Sequence, residues 1–434
     1  MLLTLFVSAP ARVHAGNDDE LLVGNRAAML GGAVIATVND SSATWYNPAG
    51  LGAIDRDQFD VSATVYTLRT HSVPKLLATP SGAYDNGSVT EFVVAPTQVA
   101  YVRRLAQNVA LGFGYFVPKA SSFVMRENLN DRNGTPPSQW QLAAAGSETE
   151  HVGALGLGVG ITPRLRVGGS LLGTYTSTTA SAALFGAVSP NGDTLASSAI
   201  TSVATYSRLS VQIGLGAQWQ VSDVFTLGVN VRTPEVQLYY SENNNYNISV
   251  TSLVDEPRFG AMATEEIISG SFELLRMGRA GVSASYAYAA GTITAEVDFQ
   301  PGLHREKVDV NRQAVVNARL GWFHSVSPSV AFGLGLFTDR RTDAERYSLI
   351  DGGGDFYGAT LGIQLDNEHQ LAPGERASSL VFNSVFALRY AYGAGDFGRI
   401  LADPTLVAEN PFLIDKGRIH EHELGLYVGG GRRV

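Results

Sequence analysis

Three short stretches bring together residue types that could do chemistry. His420-Glu421-His422-Glu423 alternates imidazole and carboxylate. On an extended strand His420 and His422 would point the same way and could begin a metal site, but the spacing indicates no third ligand, and a polar strand end is the better reading. Residues 153–160, GALGLGVG, have the glycine density of a dinucleotide-binding loop. No helical pattern or acidic residue follows, and most of the glycines fall at strand spacing. Residues 351–356, DGGGDF, read as a flexible turn. No Ser/His/Asp set or carboxylate pair stands out. Cysteine is absent, which removes disulfides, thiolate metal sites and cysteine nucleophiles. The expectation is a protein that is not an enzyme and holds no cofactor or metal.

The elements that would carry any such residues are strands. In residues 207–220 Leu209, Val211, Ile213, Leu215, Ala217 and Trp219 share one face, and Ser210, Gln212, Gly214, Gly216 and Gln218 the other. Residues 225–232, 292–299, 357–365 and 380–392 alternate in the same way. Net charge is −9, which gives nucleic acid no electrostatic welcome. Charged residues make up 16% of the 434, below the roughly 25% of ordinary soluble domains. No apolar run is long enough for a membrane helix, a criterion to which β-barrels are blind.

The alternation predicts strands near 57–69, 97–105, 109–118, 150–161, 164–178, 203–220, 223–236, 272–289, 291–302, 313–324, 329–339, 356–366, 378–393 and 420–429. The connections alternate between short turns and long loops such as 70–96, 119–149 and 179–202. The connection at 367–377 is longer than that pattern asks. A glycine-rich, sparsely charged polar face, with long and short connections in turn, predicts a transmembrane antiparallel β-barrel of about 14 strands. Closure removes the edges that such a sheet would otherwise expose. Tyr66, Trp219, Tyr239, Tyr240, Trp322, Tyr390 and Tyr392 lie near predicted strand ends, where interfacial aromatics belong.

The N-terminus does not alternate. Residues 1–15 read as a signal peptide, truncated at its start because no Lys or Arg precedes the apolar run. Residues 16–56 read as a compact, mainly helical element, and 57–434 as the barrel. Asn39-Asp40-Ser41-Ser42 suits a cap or turn, and Pro48 pushes Asn47 toward extended geometry, so Asn47-Pro48-Ala49-Gly50 reads as a rigid turn.

The string Gly24-Asn25-Arg26-Ala27-Ala28, the Gly/Ala run after it, Asn39-Asp40-Ser41-Ser42-Ala43 and Trp45-Tyr46-Asn47-Pro48-Ala49-Gly50-Leu51 resembles the N-terminal hatch of the long-chain fatty acid outer-membrane transporters, the FadL/TodX family. Residues 111–118 and 226–234 are similar to strand stretches of that family. The resemblance implies a fourteen-stranded barrel plugged by the hatch. It also implies passive passage of hydrophobic molecules, from extracellular loops through an apolar lumen and out sideways beside a kinked third strand.

On that reading Asn47, Pro48 and Ala49 form the hatch turn, and Gly112 and Gly114 are candidates for the kink. Phe123, Met125, Leu129, Trp140 and Phe185 are candidates for capture in the loops, with a self-packed loop core as the competing account. Arg103, Arg104, Arg166 and Arg319 could meet a carboxylate head group or form lumenal ion pairs. The expected partners are hydrophobic small molecules and outer-membrane lipid, in the Gram-negative cell outer membrane, with the chain as a monomer. Two alternatives stay open: a similar barrel serving surface-protein attachment or secretion, and an aqueous porin. The chain ends in Gly429-Gly430-Gly431-Arg432-Arg433-Val434 instead of the terminal aromatic usual in such barrels.

Overall fold

The computed structural model describes residues 21–189, 196–252, 258–270, 273–305, 310–342, 353–370, 379–406 and 412–433. The expected signal peptide, the first residues of the expected N-terminal element and residues 371–378 lie outside them. Period-two alternation becomes a closed antiparallel barrel of fourteen strands. The first six are β1 (Gln58–Ala78), β2 (Tyr84–Ala106), β3 (Val109–Asp131), β4 (Ser138–Thr162), β5 (Leu165–Val188) and β6 (Ala196–Gln220). Strand β7 runs in two pieces, Phe225–Arg232 and Glu235–Ser252, and β8 in three, Arg258–Gly270, Leu274–Arg276 and Arg279–Tyr288. Then come β9 (Gly291–Gln300), β10 (Val315–Ser327), β11 (Val330–Asp339), β12 (Gly353–Gln370), β13 (Ser379–Ala402) and β14 (Phe412–Arg433). A small hairpin, Leu303–Arg305 with Val310–Arg312, stands between β9 and β10. The ring closes where β14 pairs with β1, from Gln58↔Arg433 to Ser72↔His420.

Outward side chains at mid-height are apolar and exposed, among them Val61, Leu155, Leu215, Val297, Leu334 and Leu388. They form a belt that only hydrocarbon can cover favourably. Tight turns at Gln107-Asn108, Pro163-Arg164, Ala289-Ala290 and Pro328-Ser329 mark one rim, the periplasmic one in barrels of this kind. Tyr390 and Tyr392 sit on the belt's far margin, paired with His422 and His420.

At the other rim the sequence reading needs correction. Most of the expected long loops 70–96, 119–149 and 179–202 are extended strand, because β1 to β6 run on well past the belt. The physical reason is an exchange of faces. Within the belt the outward residues are large and apolar. Beyond it Met125, Leu129, Trp140, Leu142 and Leu184 turn inward and are buried, while outward positions become mostly polar, among them Ser122, Asn128, Asn130, Gln139, Gln141 and Thr179, with Val124 and Phe185 as apolar exceptions. The alternation changes sense, so a single apolar face cannot be followed along the sequence.

The N-terminal segment 21–57 has helix in three short pieces, α1 (Asn25–Met29), α2 (Ala43–Tyr46) and a 3-10 turn at Pro48–Ala53. Turns occupy much of the remainder. Nearly all of it is buried, and it packs against inward-facing residues from strands on every side of the ring.

Candidate functional site

Room for the segment is made by glycines on the lumenal face. A Cβ at Gly158 would press on Gly52 and Leu51, at Gly168 on Pro48, at Gly216 on Asn47, at Gly335 on Leu30 and Gly31, and at Gly429 on Asn25. The glycine-rich polar face read from the sequence is therefore a mould for residues 24–52.

Polar side chains of the wall then hold the segment. Asn47 is 0% exposed and extended at φ −155, ψ 100. Its Nδ2–H donates to the Ile35 carbonyl at 2.8 Å and to the Ala217 carbonyl of β6 at 3.2 Å. Its Oδ1 accepts the Ala49 N–H at 3.2 Å, capping the 3-10 turn that Pro48 opens. Gln218 donates to the Ile35 and Val38 carbonyls at 3.2 and 3.0 Å. Thr360 of β12 donates to the Met29 carbonyl at 2.9 Å, and Tyr427 of β14 to Asn25 at 3.0 Å.

Glu296 of β9 is the most heavily used anchor. Its Oε2 accepts the N–H groups of Val34 and Ile35 at 3.0 and 2.9 Å, and its Oε1 receives Arg319 of β10 at 3.0 Å. Arg319 also reaches Asp298, which holds Arg279 at 2.8 Å. Arg232 donates to the Trp45 carbonyl at 2.7 Å, with its guanidinium 4.1 Å above the Trp45 ring. Arg276 of β8 reaches Glu150 of β4 across the lumen at 3.0 Å, and pairs on adjacent strands line the wall: Arg69 with Glu423 at 3.0 Å and Lys119 with Glu148 at 3.1 Å. Buried charges persist only when paired in this way. Cavities of about 20, 40 and 30 Å³ lie between segment and wall.

The wall itself is interrupted beside the third strand. β2 and β3 pair from Ala106↔Val109 up to Gln98↔Phe116 and no further. Above that point β2 continues on β1, and β3 continues on β4 after an irregularity between Phe116 and Lys119. Pro118 lies in the irregularity and has no N–H to give a ladder. Its carbonyl accepts the N–H of Leu21 at 2.9 Å. Leu21 joins Val93 and Ala95 of β2 and Val117 and Ala120 of β3 in one apolar cluster. Above, side chains of β3 close the interruption: Glu127 accepts the Ser88 N–H of β2 at 3.2 Å, and beyond it Asp131 accepts from Thr79 at 2.8 Å and from Ser81 on the β1–β2 turn. Gly112 and Gly114 lie below it, where the ladder is unbroken. A Cβ at Gly112 would meet Thr44 and Leu51, and one at Gly114 the ring of Phe116.

The capture candidates sit on strands, not in loops. Met125, Leu129 and Trp140 belong to an apolar cluster at the extracellular end, with Leu76, Leu77, Leu184, Phe397, Ile400 and Phe412, and Phe123 packs against it. Trp140 is 1% exposed and meets Phe412 edge-on. Phe185 faces outward at 38% exposure. His420 and His422 also face outward, bonded to Tyr392 and Tyr390 at 2.9 and 3.0 Å, while Glu421 and Glu423 face the lumen. Arg319 is one of the lumenal anchors; Arg104 binds the Asp55 and Ala106 carbonyls near the periplasmic rim. Sequence reading missed Glu296 and Leu21. Glu296 had a faint signal, since it shares a strand face with Asp298.

A closed barrel with an apolar belt, tight turns at one rim and overrunning strands at the other is an outer-membrane β-barrel, and the outer membrane is where this chain resides. Its fold is similar to that of a Pseudomonas aeruginosa FadL homologue, with TM-score 0.62, 12% identity and coverage of 96% of this chain and 99% of that one. It is similar also to the Pseudomonas putida toluene transporter TodX (0.59, 13%, 96% and 99%) and the Ralstonia pickettii toluene transporter TbuX (0.55, 12%, 95% and 99%). A Neisseria meningitidis serogroup B protein named "Putative outer membrane protein NMB0088" is 29% identical over 132 residues, 28% of this chain and 28% of that protein. The match to this curated relative thus spans little more than a quarter of its length. No family model matches the chain.

Proposed function

We propose that this chain is a passive outer-membrane conduit for hydrophobic compounds, long-chain fatty acids or small hydrocarbons. Residues 16–56 act as the hatch, Asn47, Pro48 and Ala49 as its turn, and 57–434 as the barrel of a monomer, after a signal peptide at 1–15. The observation that carries the reading is the interruption between β2 and β3 above Gln98 and Phe116, lined by Leu21, Val93 and Val117. An apolar solute leaving there passes from apolar lining into bilayer hydrocarbon and gains at each step. The similar solved structures include proteins described as toluene transporters, and the shared fold supports the same class of cargo here. The extracellular cluster around Trp140 is the place of first capture, and the hatch must shift before cargo moves on.

The test is uptake of a labelled fatty acid and of toluene by cells lacking their own transporter, with and without this chain. A second arm uses the absence of native cysteine: Val93→Cys with Ala120→Cys, bridged by a short bifunctional thiol reagent. Uptake that falls on bridging supports lateral release. Uptake that persists unchanged removes the lateral step. Absence of uptake of either compound from correctly inserted protein removes the transport reading. Ion conductance through the unmodified barrel would favour a porin instead.

A further inference from the structure

The lipid-facing wall carries a second feature, across the barrel from the interruption at β3. A shallow, open apolar depression lies on the lipid-facing surfaces of β7 to β11. Leu227, Leu320 and Leu336 border it, and Ala284, Ala295 and Ala318 line its middle. The three alanines form a hollow because the ladder brings them together. Ala284 stands opposite both Ala295 and Leu227, and Ala318 stands opposite Val297.

The backbone at this place is also altered. The regular ladder between β10 and β11 ends at Arg319↔Phe337. At the next step the Ala318 N–H donates to the Thr338 hydroxyl at 2.9 Å, and that hydroxyl donates to Asn317 Oδ1 at 3.3 Å. The Arg340 N–H donates to the same Oδ1 at 2.8 Å. Side chains thus take over the hydrogen bonds that the diverging strands give up, as a surface seated in hydrocarbon requires.

One step below Leu320 toward the periplasmic rim stands a polar aromatic group. Trp322 Nε1–H donates to Tyr288 Oη at 2.8 Å, Tyr288 Oη meets His324 Nδ1 at 3.0 Å, and the Trp322 and His324 rings stack at 5.4 Å. Rings with a polar edge belong at head-group depth. The hollow is continuous with the lipid-facing belt, and its polar foot lies at that depth.

We infer that this hollow is a binding site for one phospholipid of the periplasmic leaflet, with an acyl chain along Ala284, Ala295 and Ala318 and its head group over Tyr288, Trp322 and His324. The inference does not depend on the transport reading. It is tested by native mass spectrometry of the detergent-purified barrel, after delipidation and exposure to phosphatidylethanolamine. Wild type retains one lipid at activation energies that strip loosely held lipid. Ala318→Phe with Ala295→Phe fills the hollow on an outward face that already accepts Phe, and loses that lipid. His324→Ala weakens retention without abolishing it. Heat-modifiable migration on a gel confirms that each variant is folded. Equal retention by wild type and the filled variant, or no retention by wild type, overturns the site. A dimer of wild type that the filled variant loses overturns it too, by showing a second copy in the hollow.

Discussion

Replacing Asn47 with alanine removes a side chain that makes three hydrogen bonds from a fully buried position, without touching any ladder of the barrel. The three losses are unequal. The Ile35 carbonyl keeps Gln218 as a donor at 3.2 Å, so its loss is small. The buried Ala49 N–H loses its acceptor, which is also the cap of the 3-10 turn. Orphaning that buried donor and losing the bond to the Ala217 carbonyl together cost about 2–3 kcal/mol. At 1.4 kcal/mol per tenfold, the seating equilibrium of the N-terminal segment shifts roughly 30- to 140-fold. Hydrogen exchange on the folded barrel reads this directly. Amides of residues 34–52 should exchange faster by about that factor where local opening limits exchange, with those of β4, β5 and β6 unchanged. Passage of cargo should change with them, and heat-modifiable migration should not. Unchanged protection of 34–52 would refute the argument. So would failure of the variant to assemble, which would make the turn a start for the barrel and nothing more.

Other expectations follow from the same contacts. Arg319→Met leaves Glu296 and Asp298 buried without their shared partner and should cost about 3–5 kcal/mol, with partial recovery when Glu296→Gln is added; the midpoint of heat-modifiable migration reports both. Trp140→Ala empties the extracellular apolar cluster and should cost about 3–5 kcal/mol there, seen as faster proteolysis beyond the belt with the membrane part intact. Burial works against the Asp131 carboxylate at the extracellular end, but the Ser81 and Thr79 hydroxyls and backbone N–H groups outweigh it and hold its pKa below the ordinary value. The folded state thus binds this proton less readily than the unfolded one. Its contribution is fully present above about pH 4 and is lost as pH falls through the lowered value. Protection of the 79–83 turn should decline only in that acidic window, and Asp131→Asn should abolish the dependence.

Much of this architecture is local and therefore legible. A strand's two faces repeat every second residue, so the belt, the number of strands and the turns at 107–108, 163–164 and 328–329 follow from order along the chain. The stretch from Ser41 to Gly52 also announces itself as something other than strand. Tertiary structure decided what order cannot. Glu296 meets Val34 and Ile35 across the lumen, and Leu21 meets Pro118 at the one place where β2 and β3 part. Such partners are set by how the sheet closes, not by spacing. The extracellular halves of β1 to β6 were hidden for a related reason: beyond the bilayer the surroundings exchange, apolar residues move to the inner face, and the alternation changes sense. Gly158, Gly168 and Gly216 show both levels at once. The sequence places them on one face, and only the closed barrel shows that they leave room for Asn47-Pro48 and the turn that follows.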